Sequence, residues 1–372
     1  MNANDRAITG FTMAGHGMVH TYELSVPILM TVWLVEFSVT SATLGTVVAV
    51  GYGLFGVGAL PGGLLVDRFG SRRLIVACLV GMGSSFLVLS VAPGIAGITL
   101  ALGLWGLSAS VYHPAGLSLI SNAVEQRGSA FAYHGMAGNV GIAGGPFLTA
   151  ILLVAVDWRT ATLILAVPAL LAAVVGLTVE FDETAAIAAA DGGDSPAADI
   201  GSPREFLSAS RGLFTAGFAT VFVLVLFNGL YYRGMVTFLP EMLGDFLDPL
   251  VALAPAEGLG PIPDGRLARE FDIAQYLYAG LLAVGIGGQY VGGRLTDSVA
   301  EERGLAIMLA LLAVIALAFV PAAGSVPTLL LASVALGFVL FGIQPLSQAT
   351  IAKYSPPEHR GLSFGYTYLA IF

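Results

Sequence analysis

Ten times along the chain, an apolar stretch runs for the roughly 20 residues that a helix needs to cross the hydrocarbon core of a bilayer. The stretches lie near 8–35, 43–65, 74–92, 95–121, 129–156, 160–179, 212–239, 273–292, 305–321 and 326–352, and an eleventh begins at Gly361. Lipid offers no water to satisfy backbone N–H and C=O groups, so repeated segments of this kind must be helices. The expected fold class is therefore an all-α integral membrane protein. Composition closes off the alternatives. Of 372 residues, 56% are hydrophobic and 10% charged, against about 25% charged in a soluble domain. That is too little charge to cover a soluble globule, which excludes a soluble enzyme. The 48 glycines and 18 prolines are scattered through the apolar runs without a period, which excludes collagen-like and disordered chains.

Charge sets the orientation. With the N-terminus inside, Arg6, Arg68, Arg72, Arg73, Arg127, Arg204, Arg211, Arg294, Arg303, Lys353 and Arg360 are cytoplasmic, against Arg159, Arg266 and Arg269 outside and Arg233 within a span. This bias predicts a cytoplasmic N-terminus and a multi-pass protein of the plasma membrane. The loop from Gly244 to Asp272 then forms an acidic outer cap. The net charge is −9 and Lys353 is the single lysine, which speaks against nucleic-acid partners. Two explanations fit so acidic a membrane protein: a high-salt setting, where carboxylates stay hydrated and their repulsion is screened, or a GC-rich genome that favours Arg over Lys. Cys78 is alone and forms no internal disulfide. The first span carries His and Glu, unlike a cleavable signal peptide.

The halves repeat. Gly63-Leu-Leu-Val-Asp67 recurs as Gly293-Arg-Leu-Thr-Asp297, and Tyr112-His113-Pro114 followed by Arg127-Gly128 recurs as Ile343-Gln344-Pro345 followed by Arg360-Gly361. Two matches in register predict two pseudo-symmetric six-helix bundles: residues 1–179, then a polar linker at 180–211, then 212–372 with helices seven to ten and the start of eleven. After Arg127 the first half continues to residue 179, whereas only residues 361–372 follow Arg360. The symmetry predicts that the second half is truncated in helix eleven.

These residues carry a family resemblance. Gly63-x-x-x-Asp67-Arg68-x-Gly70-x-Arg72-Arg73 resembles the signature loop between helices two and three of the major facilitator superfamily, matching six positions at fixed spacing. Gly141-x-x-x-Gly145-Pro146 resembles the fifth-helix motif of antiporters in that superfamily, with Ala132 and Thr149 where flanking glycines are expected. Tyr112-His-Pro-Ala115, Gly138-Asn-Val-Gly-Ile-Ala-Gly-Gly-Pro146 and Thr237-Phe-Leu-Pro240 are similar to the fosmidomycin-resistance branch of drug exporters. The resemblance implies a secondary transporter, usually monomeric, that alternates access to a central site flanked by helices one and seven. In the signature loop, Gly63 permits close helix contact and Gly70 a tight turn. Asp67 and the arginines place opposite charges at helix ends, where a salt-bridge latch can form and break. The arginines are otherwise topology anchors. The second copy keeps Gly293, Asp297 and Arg303 but has Ser298, Ala300 and Glu302 elsewhere, so it is expected to latch weakly or not at all.

Ionisable groups at membrane depth are costly, about 2.5–3.5 kcal/mol at a helix centre on insertion scales. His16, His20 and Glu23 fall at i, i+4 and i+7, one stripe of a helix facing the bundle interior. With His134 they form the expected proton-coupling set. Aligning Pro27 with Pro240 sets His20 opposite Arg233. These two, with His113, Asn228 and Tyr232, are the expected solute-binding set, Arg233 offering a guanidinium fork to an anion. Plainer roles stand beside these. Arg233 is either a solute contact or a structural partner of Glu23 or Glu241. His113 either lines the cavity or satisfies a carbonyl freed by Pro114. His134, followed by Gly135, Gly138 and Gly141, is either a relay or a helix-packing contact.

No Gly-x-x-x-x-Gly-Lys-Ser/Thr loop, metal cluster or nucleophile triad stands in the sequence. The expectation is therefore no enzyme and no cofactor. The predicted partners are a small-molecule solute, protons and membrane lipid. The expected activity is proton-coupled efflux by antiport of a small organic solute or anion. The alternatives are proton-coupled uptake of a small anion and a receptor-like protein that binds without turnover.

Overall fold

Apolar length becomes helix throughout the computed structural model, which describes residues 1–191, 200, 202–252 and 273–371. The first half comprises α1 (Ala3–Glu36), α2 (Ser41–Phe69), α3 (Ser71–Ser90), α4 (Ile95–Ala109), α5 (Tyr112–Ala123), α6 (Arg127–Ala155) and α7 (Trp158–Thr178). Short helices α8 (Ala185–Asp191) and α9 (Pro203–Leu213) follow. The rest comprises α10 (Ala216–Ala252), α11 (Ile273–Thr296), α12 (Glu301–Ala322), α13 (Val326–Lys353) and α14 (Arg360–Ile371), the last preceded by a 3₁₀ turn at Pro357–His359. Among the described residues, nine helical segments are long and apolar enough to span a membrane, α4 and α5 together counting as one.

The expected fourth span, 95–121, is continuous in hydropathy but broken in backbone at Ser110–Val111. Pro114 has no N–H to give the carbonyl of Ser110 and its ring crowds that turn, so the helix restarts at Tyr112. Pro27, Pro61, Pro146, Pro168, Pro321 and Pro345 are absorbed inside their helices. The polar stretch 180–211 is not plain linker. Ser202 and Glu205 form a reciprocal capping box with Pro203 in the first turn, and these start α9. α10 runs to Ala252, past the expected end at 239. The expected outer cap lies largely outside the described residues, with Arg266 and Arg269 in that part.

Two apolar cores form. One is built on α1 to α7 and reaches Phe218, Val221 and Val225 of α10 and Leu362 and Phe364 of α14. The other joins Leu239, Leu243, Met308, Leu336, Phe341 and Leu346. At the Glu36 end, Arg159 bonds Glu36 at 2.7 Å, and the Trp158 indole donates to the same carboxylate. Asp157 caps α7, and its hydrogen bonds from Thr160 hold its carboxyl below the usual range.

The repeated Gly-x-x-x-Asp segments each end a helix that crosses to the other half. In the first, Gly63 packs on Gly361, and the Asp67 carboxylate accepts the backbone N–H of Gly361 at 2.7 Å and of Leu362 at 2.8 Å. Asp67 thus caps the N-terminus of α14, where the helix dipole favours a negative charge. In this conformation the carboxylate is engaged by backbone amides, and the latch with the arginines remains a proposal. In the second, Gly293 packs on Gly128, and Asp297 accepts the Ser129 hydroxyl at 2.7 Å. The second copy thus engages through a hydroxyl where the first uses backbone amides. Gly70 closes the signature loop with φ +85° and donates to Val66 O at 2.9 Å. Arg72 donates to the carbonyls of Gly176 and Leu177, both at 2.9 Å, at the end of α7. Arg68 lies against Phe69, and Arg73 is exposed. Glu183 caps α3 through the N–H groups of Ser71 (2.8 Å) and Arg72 (3.1 Å).

A candidate functional site between the helices

Burial of one face of α1 sets the site. His16 and Glu23 are 5% exposed and His20 is half-buried, so the i, i+4, i+7 stripe does point inward. It lies against α6 because α6 presents glycine there: Gly138 under the His16 ring, Gly141 against Gly17 and Gly145 against Thr21. A Cβ at Gly145 would lie 2.9 Å from Thr21 Cα, so larger residues would push the helices apart. Pro146 continues the same helix without breaking it.

The imidazoles are wired in line. The His16 Nδ1–H donates to the backbone carbonyl of His134 at 2.7 Å, and a carbonyl can only accept. His20 Nδ1 contacts Glu23 Oε2 at 2.6 Å. The Nε2 atoms of His16 and His20 face each other at 3.0 Å. Tyr52 of α2 donates to the carbonyl of Glu23 at 2.8 Å, and the Tyr112 hydroxyl donates to the carbonyl of Thr12. The rings also stack: His16 on His134 with centroids 3.9 Å apart, and His113 on Tyr368 of α14 at 4.2 Å.

His113 closes the cluster from α5, with its ring 5.2 Å from His16 and 5.6 Å from His20. His134 is fully buried, and neither of its ring nitrogens finds a hydrogen-bond partner among the described residues. It meets His16 through its carbonyl and its ring face. Arg233 of α10 lies within electrostatic range of His113 and Tyr52, so the second half reaches the same cluster. Asn228, on the turn before, buries an Oδ1 that accepts no hydrogen bond among the described residues. Tyr232 turns toward the second core, edge-on to Phe341 at 5.8 Å. The side chains of Thr237, Phe238, Pro240 and Glu241 lie outside the described residues.

Sequence reasoning passed over Tyr368 and a buried amide chain. Gln289 Nε2 donates to Gln344 Oε1 at 3.0 Å and to Asn139 Oδ1 at 3.3 Å, linking α11, α13 and α6 across the halves. The available signal was a polar amide inside an otherwise apolar span, which lipid does not tolerate unpaired. A cavity of about 750 Å³ lies apart from the histidines, at the end carrying the crossings, lined by Glu125, Arg127, Arg294, Asp297, Glu301 and Lys353 among others.

Comparison with known proteins now bears on this arrangement. The sequence model described as Major Facilitator Superfamily matches residues 9–372. Over 121 residues the chain is 35% identical to the puromycin resistance protein pur8 of Streptomyces alboniger, a match covering 32% of this chain and 24% of that protein. The chain thus spans about a quarter of the length of that curated relative. Among solved structures, the chain is similar to the proton:xylose symporter XylE bound to 6-bromo-6-deoxy-D-glucose, with TM-score 0.65 and 15% identity over 99% of this chain and 86% of that one. It is also similar to the human organic anion transporter MFSD10 (TETRAN), with TM-score 0.67 and 17% identity over 100% and 91%. At these identities the structural likeness speaks to the fold.

Proposed function

Because this chain belongs to the major facilitator superfamily, it is a multi-pass membrane transporter and not an enzyme, and we propose that it exports a small organic solute or anion in exchange for protons. The observation that carries the reading is the buried line Glu23–His20–His16, three ionisable groups joined end to end beside Arg233. A proton seated in both contacts of that line gives the line one proton more than ionised Glu23 with two neutral imidazoles. Such a line can load a proton and release it. His134 supports it by fixing His16. Arg233, with His20, His113, Asn228 and Tyr232, forms the solute side, the guanidinium pairing with an anionic group. Gly63, Asp67, Arg68, Gly70, Arg72, Arg73 and Asp297 form the gate, and Gly141, Gly145 and Pro146 the sliding face of the antiporter-type helix.

Export is favoured by the fifth-helix motif and by the distant drug-resistance relative, in keeping with the drug-exporter branch. The same Arg233 would serve uptake of a small anion by symport, the second reading. In this reading the protein is a monomer of the plasma membrane with its N-terminus in the cytoplasm, its two halves represented by residues 1–179 and 212–372 with the linker 180–211 between them. The acidic balance suits a high-salt setting. The test is solute flux in proteoliposomes containing a trapped pH dye. Exchange predicts that solute moving out of the vesicle drives protons in. Solute and proton moving the same way would replace export with symport, and binding without flux would refute transport.

A further inference from the structure

We propose that His16, His20 and His113 form a binding site for a late first-row divalent cation of the zinc class. The three residues each bring one ligand nitrogen to within 4.8 Å of the others. His16 and His20 stand at i and i+4 of one helix, the spacing that presents two imidazoles to a single ion. His113 comes from a different helix, with its ring held flat against Tyr368.

The outer hydrogen bonds point to the ion. His16 spends its Nδ1–H on the His134 carbonyl, and His20 sets its Nδ1 on the Glu23 carboxylate. Backbone carbonyl and carboxylate are the two partners that ordinarily fix a metal-bound histidine in the tautomer that leaves Nε2 free to ligate. With Glu23 ionised, the two Nε2 lone pairs confront each other at 3.0 Å. That contact is repulsive unless a cation lies against it. A proton satisfies two nitrogens; a zinc-class ion, about 2.0–2.1 Å from each imidazole nitrogen, brings in the third.

The charges around the cluster are Glu23, which lowers the cost of a dication there, and Arg233, which raises it. His134 and the Tyr52 and Tyr112 hydroxyls complete the surroundings. Imidazole donors select zinc, copper, nickel or cobalt over magnesium and calcium. Three protein nitrogens leave one position of a tetrahedral ion for water or for an oxygen of a chelating solute. Ion and shared proton use the same lone pairs, so they exclude each other.

The full chain in lipid nanodiscs would be dialysed against Zn²⁺ and against Co²⁺ and analysed for bound metal. The expected result is one ion per chain, a tetrahedral Co²⁺ visible spectrum, and no comparable retention of Mg²⁺. His20→Gln and His113→Gln should weaken Zn²⁺ binding at least about 100-fold, and Glu23→Gln about 10- to 100-fold. His359→Ala, at the 3₁₀ turn away from the cluster, should change nothing. X-ray absorption on the zinc-loaded wild type should show three imidazole nitrogens and does not depend on any variant folding. Absent stoichiometric binding, an imidazole-poor shell, or undiminished binding in folded His20→Gln and His113→Gln would overturn the site. These readouts need no transport, so the failure of either reading is separately visible.

Discussion

The Asp67 carboxylate accepts the N–H of Gly361 at 2.7 Å, from the far half of the molecule, and a Cβ on Gly361 would fall 2.9 Å from the Asp67 carboxyl carbon. The aspartate reaches the helix end only because that residue is glycine. Gly128 stands in the same relation to Asp297, 2.6 Å from its Oδ1 by the same construction. Both crossings are close-fitting and both lie at one end of the bundle.

Gly361→Val is therefore expected to hold that end open. Spin labels at Arg73→Cys and Glu358→Cys, both exposed positions, in a Cys78→Ser background should report a longer distance distribution than in the parent. An unchanged distribution would mean that the crossing does not govern closure.

Glu23→Gln keeps the shape of the carboxylate but not its ionisation. Solute-driven proton flux should fall to background, while solute exchange without a pH gradient survives. Retained proton flux would remove Glu23 from the coupling line.

For Arg233→Ala, the expected loss is confined to anionic solutes. A charge-assisted hydrogen bond contributes about 1.5–3 kcal/mol, equivalent to roughly 10- to 100-fold in affinity. Equal loss for neutral and anionic solutes would mark Arg233 as structural.

Gly145→Leu tests the α1–α6 face. Overpacking of this kind costs about 1–3 kcal/mol, so the melting temperature in detergent should drop by several degrees with no change in Zn²⁺ stoichiometry. Undiminished stability would show that the face tolerates a side chain.

Asp157→Asn addresses pH. The folded-state carboxyl of Asp157 is held below its unfolded value by Thr160, so its stabilising effect is present above the unfolded pKa and fades as pH falls through the folded one. The variant should melt lower than the parent at neutral pH and converge with it in acid.

Much of this was legible beforehand because lipid leaves a chain few options. Span length and the inward stripe on α1 follow from hydropathy and helical period, and both stand in the structure. The break before Tyr112 hid within an unbroken apolar run, since hydropathy does not register the missing N–H of Pro114. α9 was written in Ser202-Pro203-x-Glu205 but drowned in polar composition. The partners of Asp67 and the seat of Tyr368 depend on α14 crossing to the first half, pairings more than 250 positions apart that no local pattern encodes. Gln289 reads as a misplaced polar residue until Asn139 and Gln344 are brought beside it.

The crossings also set what an opening of that end must undo. Asp67 grips two backbone amides, and Arg360 beside it is buried and donates to the carbonyl of Ser121 at 2.7 Å. Asp297, itself exposed, accepts one hydroxyl, from the buried Ser129. When the halves part, Asp67 must give up two backbone amides and Asp297 one hydroxyl, so opening at this end uncovers a carboxylate on each side that water has to solvate in their place.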